Sequence, residues 1–136
     1  MANKMKIQLR QISASTSEAT IRRHQVLIDR PAVKGGSDAG PMGGELFLAA
    51  VGGCFMSNLL AAILARAADI SDVRVEVVGD LAESPARFAG IELRVSAESA
   101  SRELLERLVE IADRGCIMMN TLRGNLEVRV LVASPV

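Results

Sequence analysis

The chain has 136 residues, a length at which one domain is the default and a core can form without disulfide staples. Sixteen Lys and Arg balance sixteen Asp and Glu, so no basic excess points to nucleic acid and no acidic tail is present. Three Phe without Trp or Tyr leave few platforms for stacking bases, and one histidine, His24, with two separated cysteines lacks the ligand spacing of a structural zinc site.

The opening segment "MANKMKIQLRQISAS" holds no long apolar run of the kind a secretory signal needs, so a cytoplasmic protein is expected. Met5, Ile7 and Leu9 alternate with Lys6, Gln8 and Arg10, which predicts a strand with one wet face. Ser13 to Ser17 reads as a turn. "TIRRHQVLID" predicts a second strand, broken near His24. Residues 31–44, "PAVKGGSDAGPMGG", hold five glycines and two prolines and form a loop long enough to be functional.

A helical period then runs from about Glu45 to Ala68. Within it, Leu46 to Ala65 carries no charge and one cysteine, Cys54. Such a run is long enough to cross a bilayer. Every other segment, however, has the pattern of a soluble amphipathic strand or helix, and Gly52, Gly53, Ser57 and Asn58 interrupt the run. A core helix is expected, with Gly52 and Gly53 giving clearance for close packing, and no membrane partner. "ISDVRVEVVGDL" and "AGIELRVSAE" predict a strand pair joined through "AESPARFA", with Val73, Val75 and Val77 on one face and Ile91, Leu93 and Val95 on one face. From Ser101, Leu104, Leu105, Leu108, Ile111 and Ala112 recur at helical spacing opposite charges, and Gly115 fits the helix end. "LEVRVLV" predicts a final strand.

The order β-β-loop-α-β-β-α-β argues an α+β domain with antiparallel sheet, a single domain over 1–136. The first helix is apolar nearly all round, which a single small sheet cannot cover, so a second subunit is expected.

Free cysteines mostly behave as small buried hydrophobes, and that reading stands for both Cys54 and Cys116. The alternative is a thiol pair, one attacking and one resolving. An apolar setting raises a thiol pKa, so Cys54 is reactive only if a cation or donor reaches it, and Arg22, Arg23 and Arg30 are available.

"DRPAVKGGSDAGPMGGELFLAAVGGC" resembles the OsmC/Ohr family of osmotically inducible and organic hydroperoxide resistance proteins: a D-x-P strand end, a Gly-rich loop and an E-L-x-x-A-A helix with a cysteine after small residues. "CIMMNTLRGNLEVRV" resembles the family's second-cysteine segment, and the resemblance runs from about Ile21 onward. It implies an OsmC-like α+β fold with antiparallel sheets and a long buried central helix, in an intertwined homodimer. It also implies a thiol-dependent peroxidase for organic hydroperoxides, with Cys54 peroxidatic, Cys116 resolving, and no bound cofactor. The disulfide would be reduced by an external dithiol, a protein of lipoyl type or a small thiol.

Peroxidase members of that family hold the thiolate with a glutamate just before the central helix and an N-terminal arginine. In the register fixed by the cysteine, Gly44 occupies the glutamate position and Glu45 follows it. One residue turns a helix by about 100°, and an acid in a first helical turn is also favoured by the helix dipole. Arg30, just before the loop, is the first choice for the arginine; each candidate has the alternative of a solvated strand charge, and Arg123 could set the environment of Cys116. Two further readings remain open: a non-enzymatic or weakly active OsmC-like protein that binds an apolar ligand or senses redox state, and a structural dimer with both cysteines in the core.

Overall fold

The computed structural model describes residues 3–133. The chain forms two compact units, Met1–Ala49 and Ala50–Val136.

The first unit is built on a three-stranded antiparallel sheet, β1 (Gln8–Gln11), β2 (Ser17–Ile21) and β3 (His24–Ile28), in that spatial order. The stretch expected as one broken strand is thus two strands of a hairpin. Arg22 and Arg23 make the turn, with Arg22 in the left-handed region at φ 55°. β1 is also shorter than its alternation suggests. Gln8 pairs with Thr20, so an extension back to Met5 would run past the end of β2 and find no ladder partner. His24 is exposed at the start of β3. After β3, the chain makes a 3₁₀ turn at Ala32–Lys34, closed by Gly35 at φ 87°. Gly36 lies so close against the Arg30 carbonyl that no Cβ fits there.

Helix α1 (Gly43–Ala65) starts two residues before the expected Glu45 and stops before Ala68. Ala67 turns left-handed at φ 48°, and the Ala68 N–H returns to the Ile63 carbonyl at 3.0 Å, which closes the helix end. Its buried residues, Val51, Gly52, Phe55, Leu59 and Ala62, form one stripe, while Leu60 and Leu64 face outward. Among the described residues α1 is the one helix long and apolar enough, by length and composition, to cross a membrane.

The second unit adds a long antiparallel hairpin, β4 (Ile70–Ala82) and β5 (Arg87–Ser99), in which Val75 faces Val95 and Val77 faces Leu93. Val73, Val75, Leu93, Val95 and Ala97 pack on a core of Phe55, Leu59, Ala62, Ile70, Leu108, Ala112 and Cys116. Helix α2 (Arg102–Gly115) begins where the Ser101 hydroxyl accepts the Leu104 N–H at 3.1 Å. Its apolar stripe places Leu108 and Ala112 in the core, and its wet face carries the ion pairs Arg102–Glu106 and Arg114–Glu110, both at 2.8 Å. Gly115 ends α2 as expected, Cys116 is extended, and a short α3 (Ile117–Arg123) follows that periodicity did not signal.

The final strand is a correction. Residues 125–133 form no strand, and Leu126, Val128, Val130 and Val132 are exposed. The alternation is present, but among the described residues no strand pairs with these N–H and C=O groups, and a strand needs a partner.

Candidate functional site

Cys54 sits in the fourth turn of α1, half-buried. Cys116 lies at the break between α2 and α3 and is fully buried. Although 62 positions apart, the two sulfurs lie 3.3 Å from each other, with the Cys116 thiol directed at Cys54. Both are free thiols.

The surroundings explain how two elements meet there. Asn58, one turn beyond Cys54, donates its amide to the Cys54 carbonyl at 2.9 Å. Its side-chain oxygen also lies beside Gly115, where an added Cβ would stand 3.5 Å away. Asn58 therefore lies where α1 meets the end of α2. The helix break is closed by two bonds: the Cys116 N–H to the Asp113 carbonyl at 3.2 Å, and the Asn120 amide to the Arg114 carbonyl at 3.2 Å. Across α2 and α3, Arg123 clasps the Asp113 carboxylate with two bonds, of 2.6 and 3.1 Å. That pairing, together with a smaller influence of Cys116, raises the Arg123 pKa. Arg123 is thus within electrostatic reach of Cys116, as the sequence allowed.

Burial pushes the Cys116 thiol up; the N–H groups of Met119 and Met118 pull it down, and the hydrogen bond and charge of Cys54 push it up further. Burial thus biases the Cys116 sulfur toward its protonated form, while the half-exposed sulfur of Cys54 is the one a reagent can reach. Gly52, two residues before Cys54, gives the clearance expected of it. A Cβ there would stand 2.6 Å from the Val77 methyl on β4. Gly53 does not have this role within the chain, since a Cβ there meets nothing within 4 Å.

Arg30 and Glu45 belong to the first unit. Glu45 is exposed, and its carboxylate accepts the Met42 N–H at 2.9 Å, closing the first turn of α1. Arg30 lines an open cavity of about 470 Å³ with Ser15, Ser17, Asp29, Lys34 and Met42. Arg22 and Arg23 are exposed in the β2–β3 turn.

Asp29 is the organising residue of this unit, and the sequence analysis passed over it. Its side chain is buried. It accepts the Thr16 hydroxyl at 2.9 Å and the backbone N–H groups of Arg30, Ser37 and Ala39 at 2.7, 3.1 and 3.1 Å. Burial would raise this carboxyl, but hydrogen bonds led by that of Ala39 outweigh it and bring the pKa down to about 2. The Gly-rich loop is therefore wound on an ionised carboxylate. The available signal was an acid heading a loop rich in orphan N–H groups. Asn58 and Asp113 were missed as well; only the i, i+4 spacing of Asn58 from Cys54 pointed to the first.

Residues 35–130 match the family model described as OsmC-like protein. No curated protein matches the sequence. Among solved structures, an OsmC-like protein from Mycoplasma pneumoniae is similar over 91% of this chain and 90% of that one, at 20% identity and a TM-score of 0.78. An organic hydroperoxide resistance protein from Elizabethkingia anophelis is similar over 93% and 94%, at 21% identity and a TM-score of 0.68. The organic hydroperoxide resistance protein OhrB of Bacillus subtilis is similar over 90% and 93%, at 24% identity and a TM-score of 0.63. At these identities the likeness is one of fold: mixed α+β, with antiparallel sheets and a long helix.

Proposed function

The chain belongs to the family of OsmC-like proteins, and from that premise we propose that it is a thiol-dependent peroxidase for organic hydroperoxides, with Cys54 as the attacking thiolate and Cys116 as the resolving thiol. The observation that carries the reading is the 3.3 Å approach of two sulfurs 62 positions apart. Two of the structures that share the fold are named organic hydroperoxide resistance proteins, which supports the substrate class.

The chemistry runs in three steps. The Cys54 thiolate attacks the terminal oxygen, the O–O bond breaks, and the departing alkoxide takes a proton to leave as an alcohol; Cys54 becomes a sulfenic acid. Cys116 then attacks the Cys54 sulfur and forms the disulfide with loss of water. An external dithiol, of lipoyl type or a small thiol, reduces the disulfide by exchange. In this reading the protein is cytoplasmic, and the outward face of α1 and residues 125–133 are covered by a second copy in a homodimer.

One equivalent of cumene hydroperoxide added to the reduced protein should produce a Cys54–Cys116 disulfide, read by mass spectrometry. Cys54→Ser should abolish both the disulfide and dithiol-dependent peroxide consumption. Turnover unchanged in Cys54→Ser would refute the assignment. The engagement of Glu45 with the Met42 N–H favours a second reading, a weakly active or redox-sensing member of the family. That reading expects the disulfide to form without sustained turnover.

A further inference from the structure

We propose that Cys116 acts before it resolves: its S–H donates a hydrogen bond to Cys54 and stabilises the Cys54 thiolate, so that the reduced pair shares one proton and one negative charge. The proposal rests on the reading of Cys54 as the nucleophile, and it gives the resolving cysteine a role in making that nucleophile.

Three observations carry it. The sulfurs are already at 3.3 Å in the free-thiol state, with Cys116 on the donor side. Cys116 is fully buried while Cys54 is half-exposed, so a shared charge sits at lower cost on Cys54, where water reaches it. Cys116 belongs to an apolar core with Phe55, Leu59, Ala62, Ile70, Leu108 and Ala112, and Cys54 packs against that core. α1 carries no charged residue between Glu45 and its end at Ala65. Arg123 on α3, which acts electrostatically on Cys116, is paired with the Asp113 carboxylate at the end of α2. The S–H of Cys116 is thus a donor delivered from the core to Cys54, and a hydrogen bond to an ionised group is about twice as strong as one between neutral groups. Two like groups in contact, unable to carry two charges, titrate as a pair.

The arrangement also accounts for the proton. When Cys54 takes the terminal oxygen of a hydroperoxide, the leaving alkoxide gains the proton that Cys116 held. Cys116 is left as a thiolate, and it displaces hydroxide from the sulfenic acid to form the S–S bond. One hydroperoxide, one thiolate and one thiol become one alcohol, one disulfide and one hydroxide.

The test is a titration of Cys54 in three reduced proteins: wild type, Cys116→Ala and Cys116→Ser. It is read from the pH dependence of the alkylation rate at Cys54, resolved by mass, with thiolate absorbance as a second measure. No peroxide is needed, so the outcome is independent of whether turnover is found. Cys116→Ala should raise the apparent pKa of Cys54 by about one unit, the scale of one hydrogen bond to an ion. Cys116→Ser, which keeps a hydroxyl donor, should recover more than half of that shift. A Cys54 titration unchanged in Cys116→Ala, or raised equally in both variants, would overturn the proposal. Circular dichroism of each variant confirms that the comparison is between folded proteins.

Discussion

A carboxylate with four hydrogen-bond donors around it resists protonation, and Asp29 holds its loop on that basis. Its folded pKa, about 2, lies below the ordinary 3.8. A depressed carboxyl contributes stability that is present above the ordinary value and is lost as pH falls through the folded one. Between about pH 4 and pH 2 the protein should therefore lose stability that Asp29→Asn never had. Urea midpoints measured across that window should fall more steeply for wild type than for the variant; equal slopes would show that Asp29 does not carry the effect. In the sequence this residue was visible only as the D of a D-x-P strand end. The pattern marks where a strand stops, but not that Thr16, Ser37 and Ala39 converge on one carboxylate, because that convergence is set by the fold of the loop. The cysteines were more legible: resemblance singled out both, and their sulfurs lie 3.3 Å apart.

At the scale of elements, the contact between α1 and β4 depends on the missing side chain of Gly52. Gly52→Ala would place a methyl 2.6 Å from a methyl of Val77, which is branched and held within its strand. Overpacking of this kind costs about 1–3 kcal/mol. The paired substitution Gly52→Ala with Val77→Ala should recover part of the loss, and additive effects in denaturant unfolding would count against direct contact. The long elements were readable because each repeats its period often enough to be unambiguous. α1, α2 and both strands of the hairpin lie where the apolar pattern put them, with ends shifted by a few residues. The seven residues of α3 make two turns, too short for any period to register. "LEVRVLV" failed for the opposite reason. Its alternation is clear, but alternation describes the faces of a strand and not the neighbour that must pair with it.

At the scale of the whole molecule, one chain leaves apolar surface that a soluble protein rarely tolerates, on α1 at Leu60 and Leu64 and along residues 126–132. The proposed homodimer predicts a mass of two chains by light scattering. It also predicts that removing residues 125–136 shifts the protein to monomer or aggregate; a full-length chain that remains monomeric at every concentration would refute it. The position of the two cysteines in the chain has a separate consequence. All of β4, β5 and α2 lie between Cys54 and Cys116. A bond between those sulfurs closes a large loop and restricts the unfolded chain far more than the folded one, by about 4 kcal/mol on the chain-entropy model for a loop of this length. In the proposed cycle, the oxidised protein that awaits reduction is then the form that opens least readily. A reductant cannot rely on unfolding to reach the bond; it has to approach through the half-exposed sulfur of Cys54 in the native structure.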